Sequence, residues 1–240
     1  MSSNTLAIKG GNPVRTREFK SKPYITDEMI GRVGELMREG RFTRFVGSPI
    51  SGTNDILGKK SVELEDIDNT ISFLGGPSVR KLESNWSKLH NIDYSIAVNS
   101  ATSALTAAIM ALDIGPGDEV VCSPFSFTAS ATSIITANAI PVFADIDLET
   151  FCLDPKAAEY SLTECTKAIM PIHWNSNAGD LEDIICLAQE KGLKVIEDSS
   201  QSPLMQYRGK YLGTHGDAGV FSLNEPKNIM TGEGGIIVTN

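Results

Sequence analysis

The 240-residue chain is predicted to be an α/β protein with a mostly parallel sheet of seven strands flanked by helices. Three observations predict it. Short apolar runs recur from about Tyr94 onward: "SIAVNS", "EVVCSP", "PVFADI", "KAIMPIH", "KVIEDSS", "AGVFSL" and "GGIIVTN". The stretches between the first five read as helices, and strands alternating with helices imply βαβ units. A chain of this length, 41% hydrophobic, can bury a sizeable core.

Taken in order, "TDEMIGRVGELMREG" reads as a helix, followed from Arg41 to Gly76 by a polar stretch with glycine and proline to which no fold is assigned. The change of texture places the N-terminal segment at 1–75 and the main domain at 76–240, with a polar insert over 46–72. A second helix, "SVRKLESNWSKLHN", leads into the first strand. In "TSALTAAIMAL" and "LEDIICLAQEKG" the apolar residues recur at helical spacing. The last two strands are joined by a loop with no helix pattern, which predicts a hairpin-like or edge return.

The formal charge of −9, without a run of lysines and arginines, argues against nucleic acid and anionic membrane as partners. Small anions held by backbone donors remain compatible with it. Cys122, Cys152, Cys165 and Cys186 form no C-x-x-C pair and only three histidines accompany them, so no metal site is expected and the thiols read as reduced, cytosolic ones. No segment has the length of a membrane span and no signal sequence opens the chain, so the protein is expected in the cytoplasm.

Ligands of open α/β sheets bind beyond the carboxyl ends of the strands. There, "VNSATSAL" places small and hydroxyl residues at a strand-to-helix turn, either an anion cradle or an ordinary helix cap. In "VIEDSSQS", Asp198 ends a buried strand, where a carboxylate needs either a structural hydrogen-bonding partner or a protonated ring nitrogen. In "FSLNEPKNIMTGEGG", Lys227 is either a solvated charge or an amine able to attack a carbonyl. Phosphate cradle, buried aspartate and such a lysine are together the contacts that pyridoxal 5'-phosphate (PLP) requires.

Six stretches, "VNSATSAL", "IGPGDEVVCSPFSFTASAT", "PVFADIDLETFCLDP", "KAIMPIHWNSNAGDLEDI", "GLKVIEDSSQS" and "GDAGVFSLNEPKNIMTGEGGIIVTN", resemble in order and spacing the DegT/DnrJ/StrS family of PLP-dependent sugar aminotransferases. The resemblance implies the large domain of an aspartate aminotransferase-like PLP enzyme. By position, Lys227 matches the lysine that forms the Schiff base and shuttles the proton, and Asp198 the partner of the pyridine nitrogen. Gln201 matches a glutamine approaching the ring. Ser222 and the backbone of Ala101 and Thr102 match the phosphate contacts, and Phe127 an aromatic that stacks on the ring. His173, at the matching strand end, is carried over as a further cofactor contact, with a satisfied core histidine as the equal alternative.

The family also implies ping-pong transfer of an amino group from an amino acid, glutamate by expectation, to a keto-sugar carried on a nucleotide, in a homodimer. Lysine rather than histidine at 227 favours transamination over the sugar dehydration run by some members. Family members are longer and continue into a small C-terminal domain, so that domain is expected to be absent here. A non-catalytic PLP-binding module and an inactive fragment are the competing readings. "NSATS" and "HWNSNAGD" depart from the usual family loops. A nicotinamide enzyme is excluded by the lack of a G-x-G-x-x-G turn after the first strand.

Overall fold

The structure, a computed structural model, describes residues 6–17, 24–40 and 76–240. The chain divides into two compact units, Met1–Thr43 and Arg44–Asn240. The boundary expected at residue 75 and the polar insert over 46–72 lie outside the described residues. In the first unit a 3-10 turn (Ala7–Lys9) precedes helix α1 (Asp27–Glu39). Thr26 Oγ1 accepts the Met29 N–H at 3.2 Å, Asp27 and Glu28 place negative charge in the first turn, and Gly40 closes the helix at φ +65°.

The second unit runs α2 (Pro77–His90), β1 (Tyr94–Val98), α3 (Ala101–Ala111), β2 (Glu119–Cys122), α4 (Ala129–Thr136), β3 (Ile140–Phe143), α5 (Pro155–Tyr160) and β4 (Thr166–Met170). It continues with α6 (Leu181–Lys191), β5 (Lys194–Asp198), β6 (Gln206–Tyr207), β7 (Lys210–Tyr211), β8 (Ala218–Ser222) and β9 (Gly235–Thr239). All seven predicted strands are present, in the order β1-β9-β8-β5-β4-β2-β3. β9 is antiparallel to both its neighbours, and the other pairs are parallel. A parallel return needs a crossover, usually a helix; the stretch between β8 and β9 has none, so the chain turns back beside itself. The small β6–β7 hairpin was not anticipated; Arg208 and Gly209 both take positive φ at its turn, as a two-residue hairpin loop requires.

Successive side chains of a strand point to opposite faces, and the two faces carry different helices. On one, Ala104, Leu105, Ala108 and Ile109 of α3 and Ile134 of α4 pack on Val120, Ala168, Met170, Ile196 and Val220. On the other, Ala158 of α5 and Ile184, Leu187 and Ala188 of α6 pack on Val121, Ile169 and Val195, while Trp86 of α2 packs on Phe221, Ile236 and Val238. Each fully buried branched side chain contributes about 1.5–3 kcal/mol, so the pleat phase of every strand is strongly specified. That phase decides which strand-end residues reach the site. Among the described residues no helix is long and apolar enough to cross a membrane, and no group of three or more His, Cys, Asp or Glu side chains is arranged to hold a metal ion.

Candidate active site

A cavity of about 310 Å3 opens beyond the carboxyl ends of β5 and β8, against the start of α3. The structure brings seven of the eight sequence-predicted site residues to its wall: Ala101, Thr102, Phe127, Asp198, Gln201, Ser222 and Lys227.

One end of the cavity is built by α3. Ser100 is its N-cap, accepting the Ser103 N–H at 3.2 Å, and the backbone N–H groups of Ala101 and Thr102 in the first turn have no partner within the helix. The positive end of the helix dipole lies with them. Ser222, last residue of β8, shares the pleat face of Val220 and adds a hydroxyl to the same cavity. Gly235 lets β9 approach so closely that a Cβ there would sit 2.5 Å from the Ser100 carbonyl carbon and 2.6 Å from the Ala101 nitrogen.

Asp198 lies deeper, only 5% exposed. Its Oδ1 accepts the Ser200 N–H at 3.1 Å and its Oδ2 accepts the Ser130 hydroxyl at 2.8 Å. Lys227 stands on the loop between β8 and β9, half-buried. The loop is closed at its neck by Leu223 N–H to Gly234 O and Thr231 N–H to Leu223 O, both 2.9 Å, and by the Asn224 amide donating to Glu233 Oε1 at 2.5 Å. Inside it the Lys227 N–H donates to Asn224 O at 3.0 Å, and Lys227 lines the cavity. Gln201 is tied by its Oε1, which accepts the Asn175 N–H at 3.0 Å. Phe127 is 74% exposed at the rim.

His173 is a correction. It does not line the cavity; its ring is fully buried, and Nε2 lies 2.8 Å from Glu197 Oε2. The pleat explains this. Ile172 and Asp198 are paired on neighbouring strand ends and both line the cavity, so the next residue of one strand and the preceding residue of the other point to the opposite face. There Glu197 also accepts the N–H groups of Gly213 and Gly216 at 2.7 Å and of His215 at 2.5 Å. Burial works against its charge, but the hydrogen bond and charge of His173 and the N–H groups of Gly216 and Gly213 outweigh it and hold the carboxyl below its ordinary value. His173 still supports the floor through its backbone: its N–H donates to Asp198 O at 3.1 Å and its carbonyl accepts the Ser202 hydroxyl at 2.9 Å.

Sequence reasoning missed Ser130, Ser100, Asn224 and Glu233, all of which line the cavity. Ser100 was legible as the cap before "ATSAL". Ser130 was not, because its contact spans 68 positions of sequence and local pattern carries no sign of it.

Residues 55–240 match the DegT/DnrJ/EryC1/StrS aminotransferase family. The spore coat polysaccharide biosynthesis protein SpsC of Bacillus subtilis (strain 168) is 38% identical over 188 residues, 77% of this chain and 48% of that protein. The L-glutamine:2-deoxy-scyllo-inosose aminotransferase of Streptomyces kanamyceticus is 32% identical over 239 residues, 100% of this chain and 50% of that protein. Among solved structures, an aminotransferase from Psychrobacter cryohalolentis superposes with a TM-score of 0.76 at 29% identity, covering 93% of this chain and 49% of that one. NtdA from Bacillus subtilis, with bound cofactor PMP, superposes with a TM-score of 0.66 at 28% identity, covering 93% and 46%. The chain thus spans about half the length of the curated relatives it matches.

Proposed function

The chain belongs to the DegT/DnrJ/EryC1/StrS aminotransferase family, and from that premise we propose that it holds PLP in this cavity and serves transamination between an amino acid and a keto-sugar. The observation that carries the reading is the convergence of Lys227, Asp198 and the α3 N-terminus on one cavity of about 310 Å3. That volume falls within the range of small-molecule sites, roughly 300–1,000 Å3. The donor set fits the group: free helix N–H groups and a serine hydroxyl for a phosphate, an acceptor carboxylate for a protonated ring nitrogen, and an amine for an aldehyde.

When bound, PLP supplies an electron-sink ring that stabilises negative charge on a substrate carbon. The rest falls to the chain's own residues. Ala101 and Thr102 N–H and the Ser222 hydroxyl would anchor the phosphate. Asp198, pinned at both oxygens, would pair with the ring nitrogen and favour its protonated form. Lys227 would hold the cofactor covalently through its amine and, as a free amine, would serve as the proton carrier at the substrate carbon. Phe127 would cover the ring's face, and a side chain so exposed at the rim would gain burial with a ligand under it.

The amino donor is glutamate by sequence expectation, and glutamine by the name of the scyllo-inosose relative. The acceptor is a keto-sugar or keto-cyclitol; a nucleotide-linked sugar, a homodimeric enzyme and a cytoplasmic location complete the reading. The test adds glutamate or glutamine to the PLP-loaded protein and follows the visible absorbance band of the lysine-linked cofactor. Loss of the band with release of the matching keto acid supports transamination. A band that persists with both donors would make the chain a passive PLP binder and sink the catalytic reading.

A further inference from the structure

Asp198 is buried, and its side-chain partners among the described residues are neutral: the Ser200 N–H on Oδ1 and the Ser130 hydroxyl on Oδ2. They come from different elements, one from the segment after β5 and the other from α4 across the cavity. Ser130 is itself 1% exposed, and its Oγ lies 2.9 Å from the Ser126 Oγ. A hydroxyl has one proton to give. With the Ser130 proton on Asp198, the proton between the two serines belongs to Ser126, and the chain runs Ser126 to Ser130 to Asp198, each dipole pointing its positive end at the carboxylate. Aligned hydroxyls polarise one another in a low-dielectric setting.

We propose that Ser130, backed by Ser126, is a positioning residue that fixes the plane of the Asp198 carboxylate and keeps its full negative charge available to a ring nitrogen. The inference rests on the functional reading above, in which Asp198 faces that nitrogen. An arginine or lysine at 130 would also orient Asp198, but its charge would compete with the ring's proton for the same carboxylate. Serine donates a hydrogen bond and leaves the charge in place. Without it Oδ2 loses its donor, and the carboxylate is held at one oxygen only.

The experiment loads parent, Ser130→Ala, Ser130→Thr and Ser126→Ala with PLP labelled with 15N in the ring. The pyridine-nitrogen resonance is then read beside the rate of band loss with amino donor and the thermal midpoint. In S130A the resonance should move toward its unprotonated position at neutral pH, and the half-reaction should slow about tenfold, the scale of one hydrogen bond to a charged group. S130T restores the hydroxyl and should restore both. S126A should show a smaller shift of the same sign. An S130A protein with an unmoved resonance and a rate within about twofold of the parent overturns the inference; so does equal damage in S130A and S130T at unchanged pyridine resonance, which marks a packing role. If S130A cannot hold PLP, S126A decides, and an unmoved resonance there overturns it. A folded parent that takes up no PLP refutes the functional reading first and removes the basis of this inference.

Discussion

Replacing Gly235 by alanine tests the anion cradle by sterics alone. An added Cβ would lie 2.5 Å from the Ser100 carbonyl carbon and 2.6 Å from Ser100 O and Ala101 N, where ordinary contact begins at 3.4 Å. The start of β9 and the start of α3 must therefore part by about 0.9 Å (3.4 minus 2.5), and both sides of the contact are backbone that no rotamer change can relieve. Overpacking of this kind costs about 1–3 kcal/mol of stability. The larger effect falls on ligand affinity, because the displaced atoms include the Ala101 N–H. Losing one hydrogen bond to a charged phosphate, about 1.5–3 kcal/mol, weakens PLP binding by roughly tenfold to a hundredfold. Gly216→Ala is the matched control: its Cβ meets the Val195 carbonyl oxygen at 2.6 Å, away from the cavity, so it should lose comparable stability with unchanged PLP affinity. Urea unfolding gives the first quantity and a spectroscopic PLP titration the second. G235A binding PLP within twofold of the parent would refute the placement of the phosphate at α3.

Glu197→Ala leaves an imidazole and three backbone N–H groups without their acceptor, so urea unfolding should show about 3–5 kcal/mol lost; a loss under ~0.5 kcal/mol would contradict the buried cluster. His90 and His215 are both held below the ordinary 6.5 by burial, so the folded state binds fewer protons than the unfolded chain in acid. Stability is then full above about pH 6.5 and falls as pH drops through the lowered folded values. Glu197, held below 4.5, adds a further loss at lower pH, whereas Glu83, raised by burial, acts in the opposite sense just above 4.5. Thermal midpoints between pH 4 and 8 check the order, and a rise in midpoint from 6.5 down to 5 would contradict it. Burial pushes the Cys122 thiol up to about 12, so alkylation of the folded protein should mark exposed Cys165 and Cys186 and spare Cys122, as read by peptide mass.

The sheet was legible because its strands announce themselves as short apolar runs, and the loop before "GGIIVTN" has no helix to carry a parallel crossover. The β6–β7 hairpin was not, since "QYRGKY" is polar and its turn rests on the φ of Arg208 and Gly209. At the site, Asp198 stood out because a carboxylate at a buried strand end is costly, and Lys227 because its loop carries an amine beside a proline and a glycine-rich turn. His173 misled: histidine next to a strand end looks like a ligand contact, yet one step of pleat sends it behind the sheet to Glu197. The alternation was available in "KVIED" and "IMPIH", where accepting Asp198 on the cavity side already places Glu197 on the other. No local pattern points from Asp198 to Ser130, because two helix-and-strand units must pack before they meet.

Covalent trapping at Lys227 tests the central claim most directly. PLP-loaded protein is reduced with borohydride, digested, and each lysine-containing peptide weighed. If Lys227 carries the cofactor, the added mass lies on the peptide holding Lys227, and a folded Lys227→Ala protein traps none. Mass on a different lysine, or none on a folded parent exposed to PLP, would contradict the claim.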